Sequence, residues 1–229
     1  MGTLADKFYN TLIYKDRWKY LAEGLGVTLK ITFFAVILGI VIGLLISIIR
    51  STHDMTGKLK IPNAICRVYL SIIRGTPVMV QLLIVYFVIF GSVKIDKVFV
   101  AILAFGINSG AYVAEIFRSG IMSIDKGQLE AGRSLGFNYV QTMCFIILPQ
   151  ALKNVLPALG NEFIVLMKET SISGYIALQD LTKGGDIIRS QTFDAMFPLL
   201  TVAAIYWVFV AGISHLLTLF ERRLRNSEH

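Results

Sequence analysis

Within this 229-residue sequence, a few polar and ionisable side chains stand inside long apolar stretches, and their spacing limits the chemistry they can do. Asn108, Tyr112 and Glu115 recur at i, i+4 and i+7, which places them on one face of a helix. Arg118 follows Glu115 by three residues, within ion-pair reach on a helix. Asn161 and Glu162 form a second polar group, Lys168 and Glu169 a third, and Arg74 stands just before Gly75 and Pro77. Ionisable groups in lipid are costly and mark function by default. For the Asn108 face two readings stand: a polar lining or gate for a solute, or a Glu115–Arg118 pair at the membrane boundary. Glu162 has no cation within one turn. Its carboxylate therefore either faces a water-filled cavity, where it would hold an amino group or cationic side chain, or bonds to another helix or a second subunit. Arg74, Glu115, Arg118, Lys168 and Glu169 are candidates for structural or gating charges.

Covalent chemistry has no comparable support. The sequence contains no G-x-x-x-x-G-K-[ST] phosphate loop, no G-x-S-x-G elbow and no Cys/His cluster. The expectation is a non-enzyme with no catalytic residues, no metal and no cofactor of its own; any ATP and Mg must be bound by another chain. Cys66 and Cys144 read as free thiols and small buried hydrophobes rather than a disulfide or metal pair.

The elements that must position these groups are membrane helices. Hydrophobic residues make up 55% of the chain and charged residues only 16%, against about a quarter in soluble domains. Mean hydropathy is +0.67. Five stretches approach the ~20 apolar residues that a span needs: Thr32–Ile49, Ile72–Phe90, Val98–Phe117, Leu156–Ala177 and Phe197–Phe220. Ahead of them, residues 1–24 lack the short apolar core of a signal peptide. Trp18, Tyr20 and nearby cations suit an interfacial helix leading into the first span. Residues 25–225 read as one transmembrane domain and 226–229 as a tail.

The net charge of +7 is distributed unevenly. Segments after the first, third and fifth spans carry eleven cations: Arg50, Lys58, Lys60, Arg67, Arg118, Lys126, Arg133, Lys153, Arg222, Arg223 and Arg225. The loops opposite carry four: Lys94, Lys97, Lys183 and Arg189. Cationic loops stay cytoplasmic, so the N-terminus is expected outside and the C-terminus inside. Lys7, Lys15, Arg17 and Lys19 run against that count. The same distribution excludes nucleic acid as the partner.

The longest connection, Arg118 to about Asn154, has helical character and is too long for a simple turn. It reads Glu130-Ala131-Gly132-Arg133-Ser134-Leu135-Gly136, then nine residues, then Ile146-Ile147-Leu148-Pro149. Small residues at 131 and 132 permit close backbone approach. Gly136 suits a positive φ that ends a helix, and Pro149 a helix break or start. This spacing resembles the E-A-A-x-x-x-G-x9-I-x-L-P signature of permease subunits of binding-protein-dependent ABC importers, with Gly132 for the second Ala. Arg74-Gly75-Thr76-Pro77, Ala111 to Arg118, and Lys168-Glu169-Thr170-Ser171 narrow the resemblance to the polar amino-acid uptake permeases, in which Asp is more usual at the position of Glu169.

The resemblance implies an all-α integral membrane protein of the bacterial inner membrane. About five transmembrane helices and a cytoplasmic coupling helix are expected. Glu130, Ala131, Gly132, Gly136, Leu148 and Pro149 would engage an ATPase subunit. Implied partners are a second permease subunit, identical or related, two ATP-binding cassette subunits, an extracytoplasmic solute-binding protein, an amino-acid substrate and membrane lipid. Asn108, Tyr112, Asn161 and Glu162 would line the substrate pathway, with a lean to arginine or lysine and glutamine open. Two alternatives remain at this level: a stand-alone ion-coupled transporter using Glu115 or Glu162 as a proton relay, and a scaffold that binds an ATPase but moves nothing.

Overall fold

Pro77, Gly39 and Gly43 shape the architecture as strongly as the apolar runs do. The computed structural model describes residues 4–226, and every regular element among them is helical. The first three residues, and the tail beyond Asn226, lie outside the described residues, as does the side chain of Arg225.

A short helix, α1 (Leu4–Phe8), leads through two irregular turns, Tyr9–Ile13 and Tyr14–Asp16, into α2 (Trp18–Thr56). Arg17 is buried: its Nε donates to Gln191 Oε1 at 3.1 Å, and its guanidinium also donates to the Asn10 carbonyl. One of the cations expected at the headgroups therefore ties the entry segment to the protein. α2 runs unbroken for 39 residues, about 58 Å at helical rise and nearly twice a ~30 Å hydrocarbon core. The expected span Thr32–Ile49 is its middle. Gly57, at φ 69, ends it in the left-handed conformation open to glycine.

The second expected span, Ile72–Phe90, is broken. α3 (Lys60–Gly75) and α4 (Val78–Leu83, continued by a π-helical turn Ile84–Ile89) meet at 106°. Pro77 has no N–H to donate and drives the preceding residue extended; Thr76 sits at φ −122, ψ 145. Ile72 to Gly75 thus belong to α3, and Val78–Ile89 alone rises only about 18 Å.

α5 (Lys97–Met122) lies at the centre, capped by Asp96, whose carboxylate accepts from the Val98 and Phe99 N–H groups. Its seam with α2 is built on reciprocal small residues. A Cβ at Gly43 would meet Val113 Cγ1 at 2.6 Å, and one at Gly110 would meet Ile42 Cγ2 at 2.8 Å. Gly39 and Gly43, a small-xxx-small pair four residues apart, thus serve helix packing, as such pairs usually do.

After the long connection, α7 (Tyr139–Thr142), a π-helical turn (Met143–Ile147), α8 (Leu148–Glu169) and a 3-10 turn (Thr170–Ile176) form one continuous rod. α9 (Leu181–Thr192) and α10 (Met196–Asn226) complete the chain. Four helical segments are long and apolar enough to cross a membrane: Trp18–Thr56, Lys97–Met122, Tyr139–Ile176 and Met196–Arg223. The bent α3–α4 pair makes a fifth if counted as one span.

Cys66 is buried against its own helix bundle, but Cys144 is exposed. The expectation that both thiols are core hydrophobes fails at Cys144, because the π turn places it on the outer side of the connection.

Candidate functional site

Glu115 sits on α5 amid a group of arginines. Arg118 Nε donates to its Oε2 at 3.0 Å, Arg50 donates to Oε1, and Arg74 Nη1 lies 3.8 Å from Oε1. Arg118 also approaches Asp54 Oδ2 at 3.5 Å. The expected Glu115–Arg118 pair is present as part of a five-member network that joins α2, α3 and α5. Arg50 and Asp54 entered the sequence reading only as loop charge or not at all. Their i, i+4 spacing at the end of α2 was the available signal. Arg74 in addition lies over the Tyr112 ring, 5.7 Å from its centroid.

Asn108 is packed inside the chain, and its Nδ2 donates to Gln81 Oε1 at 2.9 Å. The Gln81 amide in turn reaches the Ile73 carbonyl at 2.7 Å, the Thr76 carbonyl at 3.1 Å and Thr76 Oγ1 at 2.8 Å. This set satisfies backbone groups exposed by the Pro77 break, where lipid offers no substitute partners. Gln81 was not singled out from sequence; a polar residue four positions after a proline in an apolar run was the clue. Tyr112 is exposed on the same helix, so the i, i+4, i+7 series divides between packing and surface.

Glu162 is half-buried and accepts from Ser109 Oγ at 2.7 Å. Ser109 lies on α5, so this contact joins two helices. Its neighbour Asn161 is exposed. Lys168 is exposed and Glu169 half-buried where α8 tightens into the 3-10 turn, outside the Glu115 network.

The long connection forms a short helix, α6 (Lys126–Ser134), with Asp125 Oδ1 accepting from Gly127 N–H at its start. Gly136 takes φ 85 just past its end, the conformation expected of it. Asn138 and Gln141 then form a reciprocal capping box that starts α7. Gly132 makes its close approach within this chain: a Cβ there would meet Thr142 Cγ2 at 2.5 Å and Oγ1 at 2.8 Å. Ala131 and Glu130 are exposed. Pro149 follows the π turn, where Leu148 N–H bonds back five residues to Met143 O. A proline without an N–H and clashing with the preceding turn accounts for that widened turn. Around it Leu135, Val140 and Phe145 stand 74%, 65% and 70% exposed.

On the opposite connection, Asp180 is fully buried and caps α9, with Oδ1 accepting from Lys183 N–H at 2.7 Å. Burial pushes its carboxyl up to about 7 against the pull of that N–H and of the Lys183 charge. Its Oδ2 is buried without a partner.

The family described as "Binding-protein-dependent transport system inner membrane component" matches residues 36–226. The chain is 38% identical over 220 residues to a putative glutamine transport system permease protein of Rickettsia typhi, covering 95% of this chain and 96% of that one. It is 37% identical over 211 residues to the arginine transport system permease protein of Bacillus subtilis, covering 91% and 94%. Its likeness to the glutamine transport system permease protein of Escherichia coli is 38% over 208 residues, covering 90% and 93%. Among solved structures, an amino acid ABC transporter determined with histidines matches with a TM-score of 0.84 at 43% identity, over 97% of this chain and 99% of that one. The MetNI methionine ABC transporter in an inward-facing conformation shares the fold, with a TM-score of 0.74 at 21% identity over 92% and 98%.

Proposed function

The chain belongs to the binding-protein-dependent transport inner-membrane family, and from that membership we propose that it forms half of the pathway of an ATP-driven importer of polar amino acids. It is a permease of an ABC importer in the bacterial plasma membrane, and the ATPase is a separate subunit. The observation that carries the coupling role is the α6 connection. A capped nine-residue helix, a positive-φ glycine and three large apolar side chains left in the open make a poor self-contained loop and a good docking knob. We assign Glu130, Ala131, Gly136, Leu148 and Pro149 to that docking surface or its support. Gly132 holds its shape from within.

The proposed assembly pairs this chain with a second permease, two ATPase subunits and an external solute-binding protein, with the N-terminus outside. ATP-driven closure of the ATPase pair would favour one of two conformations through its contacts with the knob, and the helices would then expose the pathway to the other side. Relatives are named for glutamine and for arginine. The Glu162 carboxylate, with exposed Asn161 next to it in sequence, favours a polar substrate, with cationic side chains ahead of glutamine; Tyr112 is exposed on α5 and remains a candidate for the pathway.

Reconstitution in liposomes with the ATPase and binding protein tests this reading. ATP-dependent accumulation of arginine, lysine or glutamine is expected. Accumulation driven by a proton gradient without the ATPase would overturn it in favour of an ion-coupled carrier, and ATPase binding without accumulation would leave a scaffold. A Glu162→Gln variant present at normal membrane levels should lower arginine and lysine uptake more than glutamine uptake; unchanged uptake of all three removes Glu162 from the pathway.

A further inference from the structure

The 106° bend at Pro77 has a consequence for α3. If Val78–Ile89 enters the bilayer along its normal, the 106° bend lays α3 close to the membrane surface. Its sequence fits that position on three faces. Asn63, Cys66 and Leu70 are buried against the bundle. Ile61, Ile65, Val68 and Ile72 fall at i, i+4, i+7 and i+11, one helix face, and are 57–76% exposed. Lys60, Arg67 and Arg74 recur every seven residues on a third face, at a large angle to the apolar stripe. An apolar stripe with a cationic row on another face is the pattern of a helix lying in the membrane interface.

The cationic row opens onto a built feature. A cleft of about 430 Å³ is lined by Arg50, Arg67, Ser71, Arg74 and Glu115. Arg50 and Arg74 share the single carboxylate of Glu115, so the cleft keeps an excess of positive charge. The Arg50 Nε–H is buried there without an acceptor. Arg67 has no ion pair among the described residues and is exposed at the rim. Guanidinium forks match phosphate oxygens in geometry as well as charge.

We propose that α3 is an in-plane helix that holds an anionic phospholipid, with the headgroup phosphate in the Arg50–Arg67–Arg74 cleft and the acyl chains along Ile61, Ile65, Val68 and Ile72. The cytoplasmic leaflet follows from the orientation proposed above; the headgroup contact follows from the cleft, and the acyl contact from the exposed stripe. The lipid would join the bend to the Glu115 network, because its phosphate bridges arginines of α2 and α3.

The purified full chain, studied by native mass spectrometry with added phosphatidylglycerol or phosphatidylcholine, tests this. The wild-type chain should retain phosphatidylglycerol selectively. Arg67→Gln should weaken retention about five-fold, the worth of one cation near an anionic surface, and Arg67→Lys should keep most of it. Equal retention of the two lipids, or undiminished retention by Arg67→Gln, overturns the proposal. Displacement of the lipid by inorganic phosphate at equal concentration would assign the cleft to a free anion and overturn it as well. So would a disulfide between two copies at Ile65→Cys in native membranes, which would place a second copy on the stripe. ATP-driven uptake, measured on the complex assembled from the same preparations, separates the two ideas: uptake without lipid selectivity sinks only this inference.

Discussion

Two carboxylates in this chain meet opposite surroundings, and their substitutions should behave differently. Glu115 balances Arg50, Arg74 and Arg118 from a side chain that is 25% exposed. Removing its charge strands three cations on one remaining carboxylate, Asp54, which reaches only Arg118. Uncompensated, partly buried charges are costly, so Glu115→Gln should destabilise the chain by about 3 kcal/mol, while Asp54→Asn should cost under about 1 kcal/mol. Thermal unfolding of the two purified variants would show the gap; equal losses would mean that the network is not centred on Glu115. Asp180 is the converse case. Lys183 and Thr182 with its Tyr206 contact surround it, and burial outweighs the Lys183 charge. A carboxyl raised from 3.8 to about 7 contributes stability while it is protonated, fully below the unfolded value, and loses it as pH rises through about 7. Asp180→Asn keeps the cap acceptor and removes the charge. The melting temperature should therefore rise by several degrees at pH 8, by clearly less at pH 5, and stay unchanged only below about pH 3.8. A gain of the same size at every pH would assign the effect to packing instead.

At the level of elements, the outcome depends on where backbone polar groups find partners. The third span was legible at its start, Val98 expected against Lys97 observed, because Asp96 caps it; its end runs past the expected Phe117, through Arg118, to Met122. The Glu130–Pro149 spacing likewise foretold a short helix closed by Gly136. The second span was not legible: hydropathy runs smoothly through Ile72–Phe90, and only the Pro77 backbone decides that the chain turns there. Nor was the division of Asn108 from Tyr112, since helix spacing fixes a common face but not what lies against it. Gln81 on α4 is the residue that makes the turn tolerable, and replacing it is the sharpest test of that account. Gln81→Leu leaves the Ile73 carbonyl and the Asn108 amide without their partners, at a cost of about 2–3 kcal/mol. Hydrogen exchange of residues 73–81 should accelerate, while that of central α5 amides stays slow. Unchanged exchange across the turn would show that Pro77 alone sets the bend.

Taken whole, the molecule buries its middle and leaves its flanks to others. Of the apolar window in α5, 61% is buried, against 22% for the Tyr139–Ile176 rod and 11% for α10. Lipid and a second permease are the natural cover for those flanks, and the α6 knob stands on the same rod as the poorly buried span. A push on α6 would reach the rod through Thr142 and Ile146, packed around Gly132, and the end of α5 through Leu129, which packs with Ile121. Gly136 turns the chain just past the end of α6. Its φ of 85 is strained for any side chain, by about 1–3 kcal/mol, although the space around it is open. Gly136→Asp should consequently insert and fold, since nothing is overpacked, yet present the knob in a different pose. ATP-dependent uptake in the assembled transporter is expected to fall by about tenfold or more, the effect of losing some 1.4 kcal/mol of coupling. The amount of chain in the membrane should hold steady, and the ATPase should hydrolyse ATP without matching uptake. Full uptake by this variant would remove the Gly136 turn from the coupling path; loss of the chain from the membrane would relocate its role to folding.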